Sequence, residues 1–358
     1  MPSLKEIKGR INSISSTLAI TSAMKMVAAA KLQKAQMAIQ NMLPYERRLH
    51  SMLIDLMGAM NISAAASEDG SVRGSGSAER GFDQSGDRLS LSNRHDLAGM
   101  DGAYSLMAQR EVRKVAIVAF ASNSSLCGAF NSNAIREATA VINEYRASGL
   151  GDADITVYSV GRKMAEAMKK LGFPSPADFT KMSDSPSYDA ASALAQELFD
   201  GFVSGRFDKV ELVYNHYKST SSQPTIRQTY LPLSLADATA DIQVGKITDS
   251  ASESDTNRVA EPVGAPVVRQ GSPTTEDLIV EPSKEALIAT LLPKVIRLRI
   301  FTTLLDSAAA EHAARTVAMQ LATDNGNDLL QELTLEYNKG RQQKITSEIL
   351  DLVGGSLQ

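Results

Sequence analysis

From Leu4 onward, apolar or small residues recur in alternating steps of three and four. Leu4, Ile7, Ile11, Ile14, Leu18, Thr21, Ala28, Leu32, Ala35, Ile39 and Met42 follow this rule, and Leu49, Leu53, Leu56 and Met60 continue it in phase. Lys25 and Glu46 are the breaches. A period of about 3.5, held over about eight heptads, keeps one stripe of a helix facing a partner and imposes a left-handed supercoil. About 55 residues at 1.5 Å rise make a rod of roughly 80 Å. No small domain needs such a rod to close its core, so the rod itself is expected to be the working part.

The other end of the chain supplies a partner helix. Pro282 and Ser283 look like a helix start, with Ser283 as N-cap and Ala286 and Leu287 opening the periodic stretch. Helix is expected from there to Val353, with Pro293 causing at most a local kink. Its apolar pattern runs Leu287, Leu291, Val295, Leu298 and Leu305, then the small residues 308–310, Ala313 and Ala314, then Leu321, Leu330, Leu333, Tyr337, Ile345, Ile349 and Leu352. This stripe does not phase as one strict heptad. Gly326 and Gly340 each cost about 1 kcal/mol relative to Ala inside a helix, so a partner is expected to hold it.

Between the two helices the chain changes character. The continuous apolar run at Val115–Phe120 reads as a buried strand, followed by a loop and a helix at 134–147. A second strand at 154–160, a short helix at 161–172, a helix at Tyr188–Val203 and strands at 209–216 and 225–233 complete the unit. Strands alternating with helices point to a compact α/β domain with a largely parallel sheet. Residues 64–103 are rich in Ser, Gly, Asp and Arg without periodicity, and 236–275 are polar with Pro262, Pro266 and Pro273. Both read as flexible insertions, and 277–281 as a possible extended strand. The expected organisation is a helix over 1–60, an insertion over 61–111, an α/β domain over 112–235, a second insertion over 236–275 and a helix over 276–358.

Composition excludes several function classes. The net charge of −4 argues against bulk nucleic-acid binding, so no nucleic acid is expected as a partner. It hides an asymmetry: Lys5, Lys8, Arg10, Lys25, Lys31, Lys34, Arg47 and Arg48 stand in the first fifty residues against only Glu6 and Glu46. A basic rod suits an acidic partner, although a solvated helix face has the same composition. Cys127 is alone, which rules out an internal disulfide and a cysteine zinc cluster. No apolar run is long enough to span a membrane, and no signal-peptide core opens the chain. There is no GxxxxGK[ST] loop, no GxGxxG fingerprint, no HExxH and no GxSxG elbow. The adjacent Glu311 and His312 are expected to be surface polar residues of the coiled coil rather than metal ligands. No catalytic residue, cofactor or metal is assigned.

Four segments carry a specific resemblance. Residues 20–36 (ITSAMKMVAAAKLQKAQ), 124–131 (SSLCGAFN), 307–325 (SAAAEHAARTVAMQLATDN) and 333–356 (LTLEYNKGRQQKITSEILDLVGGS) resemble, in order, signatures of the gamma subunit of F-type ATP synthases. The resemblance covers both termini and, more loosely, the centre, but not the two insertions. It implies a long antiparallel coiled coil of N- and C-terminal helices with a central Rossmann-like α/β domain. It implies a rotor shaft inside a ring of alpha and beta subunits, with the domain at the foot beside the epsilon subunit and the c-ring. Proton flow turns ring and shaft, and the chemistry belongs to beta. By the same resemblance the chain lies peripherally on the cytoplasmic face of a bacterial inner membrane.

Residue roles follow from matching positions. Met24 and Lys25 correspond to the family's shaft contact with beta. Arg341 and Gln342 match its Arg-Gln pair at the catch contact, and Thr346 a threonine beside it. A guanidinium suits this contact because it forks onto carboxylates. Gly128 and Asn131 are expected to shape the foot-domain loop. Ser22, Gly340 and Ser356 depart from the common residues, and Gly340 is expected to soften the helix at the catch. Two other classes fit parts of the pattern: a non-catalytic coiled-coil adaptor with an α/β head, and a metabolite-binding α/β enzyme with helical arms.

Overall fold

A computed structural model describes residues 3–59, 110–233 and 284–356. The insertions, apart from residues 110 and 111, lie outside the described residues, as do the strand at 277–281 and the cap at Ser283. Two long helices dominate. Helix α1 spans Leu4–Ala59, and the C-terminal helix, α6, spans Lys284–Ser356. At 1.5 Å per residue they are about 85 and 110 Å long. Pro44 and Pro293 sit inside them without ending either helix.

Between them lie β1 (Val115–Phe120), α2 (Phe130–Ala147), β2 (Ile155–Val160), α3 (Arg162–Lys170), α4 (Thr180–Asp184), α5 (Tyr188–Val203), β3 (Lys209–Asn215) and β4 (Thr225–Leu231). The sheet order is β2-β1-β3-β4. β1 pairs in parallel with β2 and β3, whereas β4 runs antiparallel to β3. The sheet is largely parallel, as expected, with β4 as an antiparallel edge. The connection from β3 to β4 is only residues 216–224, too short for the crossover a parallel strand needs. α2 begins at Phe130 rather than 134, and α5 starts where Ser187 accepts a bond from the Ala190 N–H.

The sheet is covered on both faces. On one, Val115, Ile117, Ala119, Val157 and Val213 pack with α2 and α3 through Ala134, Ala138, Val141, Met164 and Met168. On the other, Ala116, Val118, Phe120, Val210, Leu212 and Tyr214 pack with α5 and with Ile288, Leu292, Val295, Ile296 and Leu304 of α6. The first turns of the long helix are thus a wall of the domain core, and Leu49 and Leu53 of α1 join the same cluster. Glu211 is buried among Tyr145, Lys209 and Arg227, with contacts of 2.6, 2.6 and 2.7 Å. Burial alone would raise its pKa. The bonds from Arg227, Lys209 and Tyr145 outweigh that and hold it below the usual carboxylate value.

Beyond the domain the helices pair with each other. Every α1 seam position whose side chain is described, from Leu4 to Leu53, is buried or half-buried, Lys25 and Glu46 included. Thr302 on α6 donates to Glu46 at 3.1 Å, which accounts for one breach. On α6 the facing positions are Met319, Thr323, Gly326, Leu330, Leu333, Tyr337 and Gly340, a strict alternation of four and three. The heptad absent from the apolar pattern is present, with Thr and two Gly as members. Leu321, counted in that pattern, is 57% exposed. The glycines are close-approach points. A Cβ on Gly326 would stand 2.6 Å from Leu18 Cδ2, and one on Gly340 would stand 3.1 Å from Leu4 Cδ2. Gly340 is thus a notch for the first leucine of α1 rather than only a soft point.

Candidate functional site

The expected contact residues fall in three places. Gly340 lies opposite Leu4, the first residue of α1. Past it every residue from 341 to 350 is exposed, so among the described residues Arg341, Gln342 and Thr346 stand on a single helix with no companion. Thr346 turns its hydroxyl inward to the Gln342 carbonyl at 2.9 Å. Among the described side chains, Ile345, Ile349, Leu350, Leu352 and Val353 are 44–75% exposed. The tip therefore presents a guanidinium and an amide beside a ladder of uncovered aliphatic groups.

Met24 and Lys25 lie elsewhere. Thr21 and Thr323 share a hydrogen bond of 3.1 Å, which fixes the level of that stretch on the pair. The two residues are half-buried at the seam margin. Twenty-one residues separate Lys25 from Leu4, about 30 Å along the helix. The structure does not bring Met24 and Lys25 together with Arg341 and Gln342; they are two stations on one rod. The basic side chains Lys5, Lys8, Arg10, Lys31, Lys34 and Arg48 are exposed, with Arg10 reaching Glu6 at 3.1 Å.

The third place is the loop from β1 to α2. Asn131 organises it: its carbonyl oxygen accepts from the Ser122 N–H at 3.0 Å, and its amide donates to the Ser124 carbonyl at 3.2 Å and to Cys127 Sγ at 3.1 Å. Gly128 has φ +59°, in the left-handed region, with Leu126 at +68° beside it. Cys127 and Phe130 bury themselves against Ala310 of α6. Arg315 of α6 donates to Ser124 Oγ at 2.7 Å and to Glu311 at 2.7 Å. The loop is thus a dock between domain and rod, with the polar groups of Ser122, Ser124 and Asn131 used within the chain.

Sequence reasoning missed this dock's α6 side. Glu311, expected at the surface, is buried and ion-paired; burial raises its pKa against the opposing pull of Arg315. His312 is half-buried, and its Nδ1 has no partner. Burial, then Arg315 and Lys31, lower its pKa to about 4. The i, i+4 spacing of Glu311 and Arg315 in an alanine-rich stretch was the available signal. Also missed was a neck where Asp306 accepts from His216 Nδ1 at 2.6 Å and from the Tyr217 N–H at 2.9 Å. No group of three or more potential metal ligands occurs among the described residues, and none of their helices is long and apolar enough to cross a membrane.

Comparison with known proteins places this geometry. A family model described as ATP synthase matches residues 3–357. The chain is 47% identical over 357 residues to the ATP synthase gamma chain of Phocaeicola vulgatus, covering 100% of both. It is 44% identical over 358 residues to that of Bacteroides thetaiotaomicron, again covering 100% of both. Among solved structures, a chain of the Euglena gracilis mitochondrial ATP synthase OSCP/F1/c-ring assembly is similar at TM-score 0.51 and 18% identity, covering 98% of this chain and 92% of that one. A chain of the rotor of the same source gives TM-score 0.50 at 17% identity, covering 96% and 98%. At these identities the structural likeness concerns the fold.

Proposed function

Given that the chain belongs to the ATP synthase family, as a gamma chain and central-stalk subunit, we propose that it turns proton flow into conformational cycling of catalytic sites held by other subunits. Its tip reads as the part inserted into a ring of alpha and beta subunits. Arg341 and Gln342 contact an acidic loop of beta there, with Thr346 shaping the same turn, and Met24 and Lys25 make a second contact lower on the shaft. The α/β domain sits at the foot, against the epsilon subunit and the c-ring, on the cytoplasmic face of the inner membrane. The chain is a non-catalytic member of the enzyme complex, and the Gly128–Asn131 loop is internal scaffolding.

The observation that carries this reading is the bare end of α6. A run of exposed Ile, Leu and Val, on a helix with no companion among the described residues, is costly to leave in water and marks a surface that a partner covers. The helix pair supplies the other requirement. A rotor changes three equivalent sites in turn only if it touches them differently. A shaft that, among the described residues, is two helices thick up to Leu4 and one helix thick beyond offers different faces at different angles. Basic side chains along exposed α1 suit acidic loops on a surrounding ring.

The test is co-expression with the alpha and beta subunits of the same source, followed by gel filtration and ATP hydrolysis. One large complex whose ATPase depends on this chain is the expected result, and Arg341→Ala/Gln342→Ala should lower that activity. A chain that elutes alone, with hydrolysis unchanged by its absence, would overturn the reading.

A further inference from the structure

The two helices are held to the domain unequally. α6 is part of the domain's core through Ile288 to Leu304, so any turn of the domain is passed on by a continuous backbone. α1 has no such continuity within the described residues. Above Leu49 and Leu53, where Met42 also packs against the domain core, a further contact with the domain is made through one aromatic side chain. Tyr217, at the start of the 216–224 loop, packs against the cluster of Leu32 of α1 and Ala309 and Ala313 of α6, which Ala35 and Ile39 of α1 also flank. Its other side belongs to the cluster of Cys127, Phe130 and Ala310 at the β1–α2 loop. Its hydroxyl accepts from Gln36 Nε2 at 2.6 Å.

The loop that carries Tyr217 is itself fastened. Asp306 accepts from the Tyr217 N–H and from His216, pinning the loop's first two residues to α6. The His216 N–H donates to the Pro224 carbonyl at 2.8 Å, and Ser219 pairs with Ser222, so the loop closes on itself. Behind it, Asn215 donates to the Phe130 carbonyl at 3.0 Å and accepts from Thr225 at 2.6 Å. One aromatic ring is thus wedged between both helices and the domain, on a loop anchored at each side.

We propose that Tyr217 is a positioning residue for energy coupling: it locks α1 to the foot domain, so that the two helices of the shaft turn as one body. The inference rests on the rotor reading above. A loosened wedge leaves α6 driven by its backbone while α1 lags, so the faces shown to the ring slip relative to the foot. Hydrolysis in the ring continues, but less of it is delivered as proton movement.

The experiment uses the whole complex in sealed vesicles, measuring ATP-driven proton pumping and ATP hydrolysis together. Tyr217→Ala should lower protons pumped per ATP at least threefold while hydrolysis stays within about twofold of the parent. Gln36→Leu and Tyr217→Phe both remove the Gln36–Tyr217 bond, and Tyr217→Phe also removes the 3.5 Å contact with Thr220. Each should lower the ratio by a smaller amount, and their combination should be no worse than Tyr217→Phe alone. An unchanged ratio in Tyr217→Ala, or pumping and hydrolysis falling in proportion, overturns the proposal. If Tyr217→Ala does not assemble, parental ratios in both milder variants overturn it. A parent complex whose ATPase is independent of this chain is a different result, and it would sink the rotor reading instead.

Discussion

The two ends of α6 are one unbroken helix, yet they are held by different physics. At the domain end Ile288, Leu292, Ile296, Leu298, Ile300 and Leu304 are each no more than 3% exposed, sealed against the sheet and α5. At the far end all residues from 341 to 350 are exposed. The support seen at the tip is local, such as Lys344 near Glu348 at 3.8 Å, a solvent-exposed pair of the kind worth a few tenths of a kcal/mol. A helix of about fifteen residues with only such support is marginal in water. The lesson is a division of labour: the chain stabilises its foot and its paired shaft by itself, and leaves the tip to be ordered by what surrounds it.

The strongest way to break that comparison is to cut the domain end. Leu292→Ala removes a fully buried side chain and should cost about 2–5 kcal/mol, read as a lower urea midpoint for the whole chain. A loss near zero would mean α6 is not part of the domain core. A second cut tests buried charge in place of apolar packing. Glu211→Gln leaves Lys209 without its carboxylate and Arg227 with only the exposed Glu144, and should cost up to about 3 kcal/mol. Because the folded pKa of Glu211 is depressed, its contribution is present above the unfolded carboxylate value and is lost as pH falls through the folded one. Acid titration of stability should therefore be shallower in Glu211→Gln than in the parent.

The neck lies between the two regimes, and its effect should be intermediate. The hydrogen bond to Asp306 is the main reason His216 titrates above its ordinary value, with burial opposing. A raised folded pKa means that the stabilisation is complete below the unfolded histidine value, near 6.5, and is lost as pH rises through the folded one. The melting temperature should decline as pH rises through that window. Asp306→Asn should remove this decline and lower stability at acidic pH, by less than the core truncation does.

How much of this was legible follows the same divide. The α1 seam could be read residue by residue because its members are apolar and its period is strict. The α6 seam could not, since Thr323, Gly326 and Gly340 do their work by being small, and hydropathy does not register a notch. Leu321 misled for the converse reason, being apolar and exposed. Strands buried on both faces announced themselves as apolar runs at Val115–Phe120. The antiparallel edge was implicit in the short 216–224 connection but was not drawn from it. Arg341, Gln342 and Thr346 were found through resemblance, and their exposure agrees with a contact role without testing it. The Arg315–Ser124 and Asp306–His216 contacts join segments far apart in the chain, and no local pattern encodes them.

The smallest effect on the isolated chain sharpens the comparison most. Ile349→Ala and Leu352→Ala remove 54% and 75% exposed side chains, so chain stability should move by less than about 0.5 kcal/mol. The same changes should weaken co-purification with alpha and beta subunits and lower the ATPase that depends on this chain. Amide hydrogen exchange reads the difference directly. Residues 341–356 should exchange fast in the free chain and slow down on assembly, whereas 288–304 should be protected in both states. Strong protection of the tip in the free chain would mean that it is ordered without a partner, and that its apolar ladder needs another explanation. A stability loss from Leu352→Ala as large as that from Leu292→Ala would erase the distinction between the two ends.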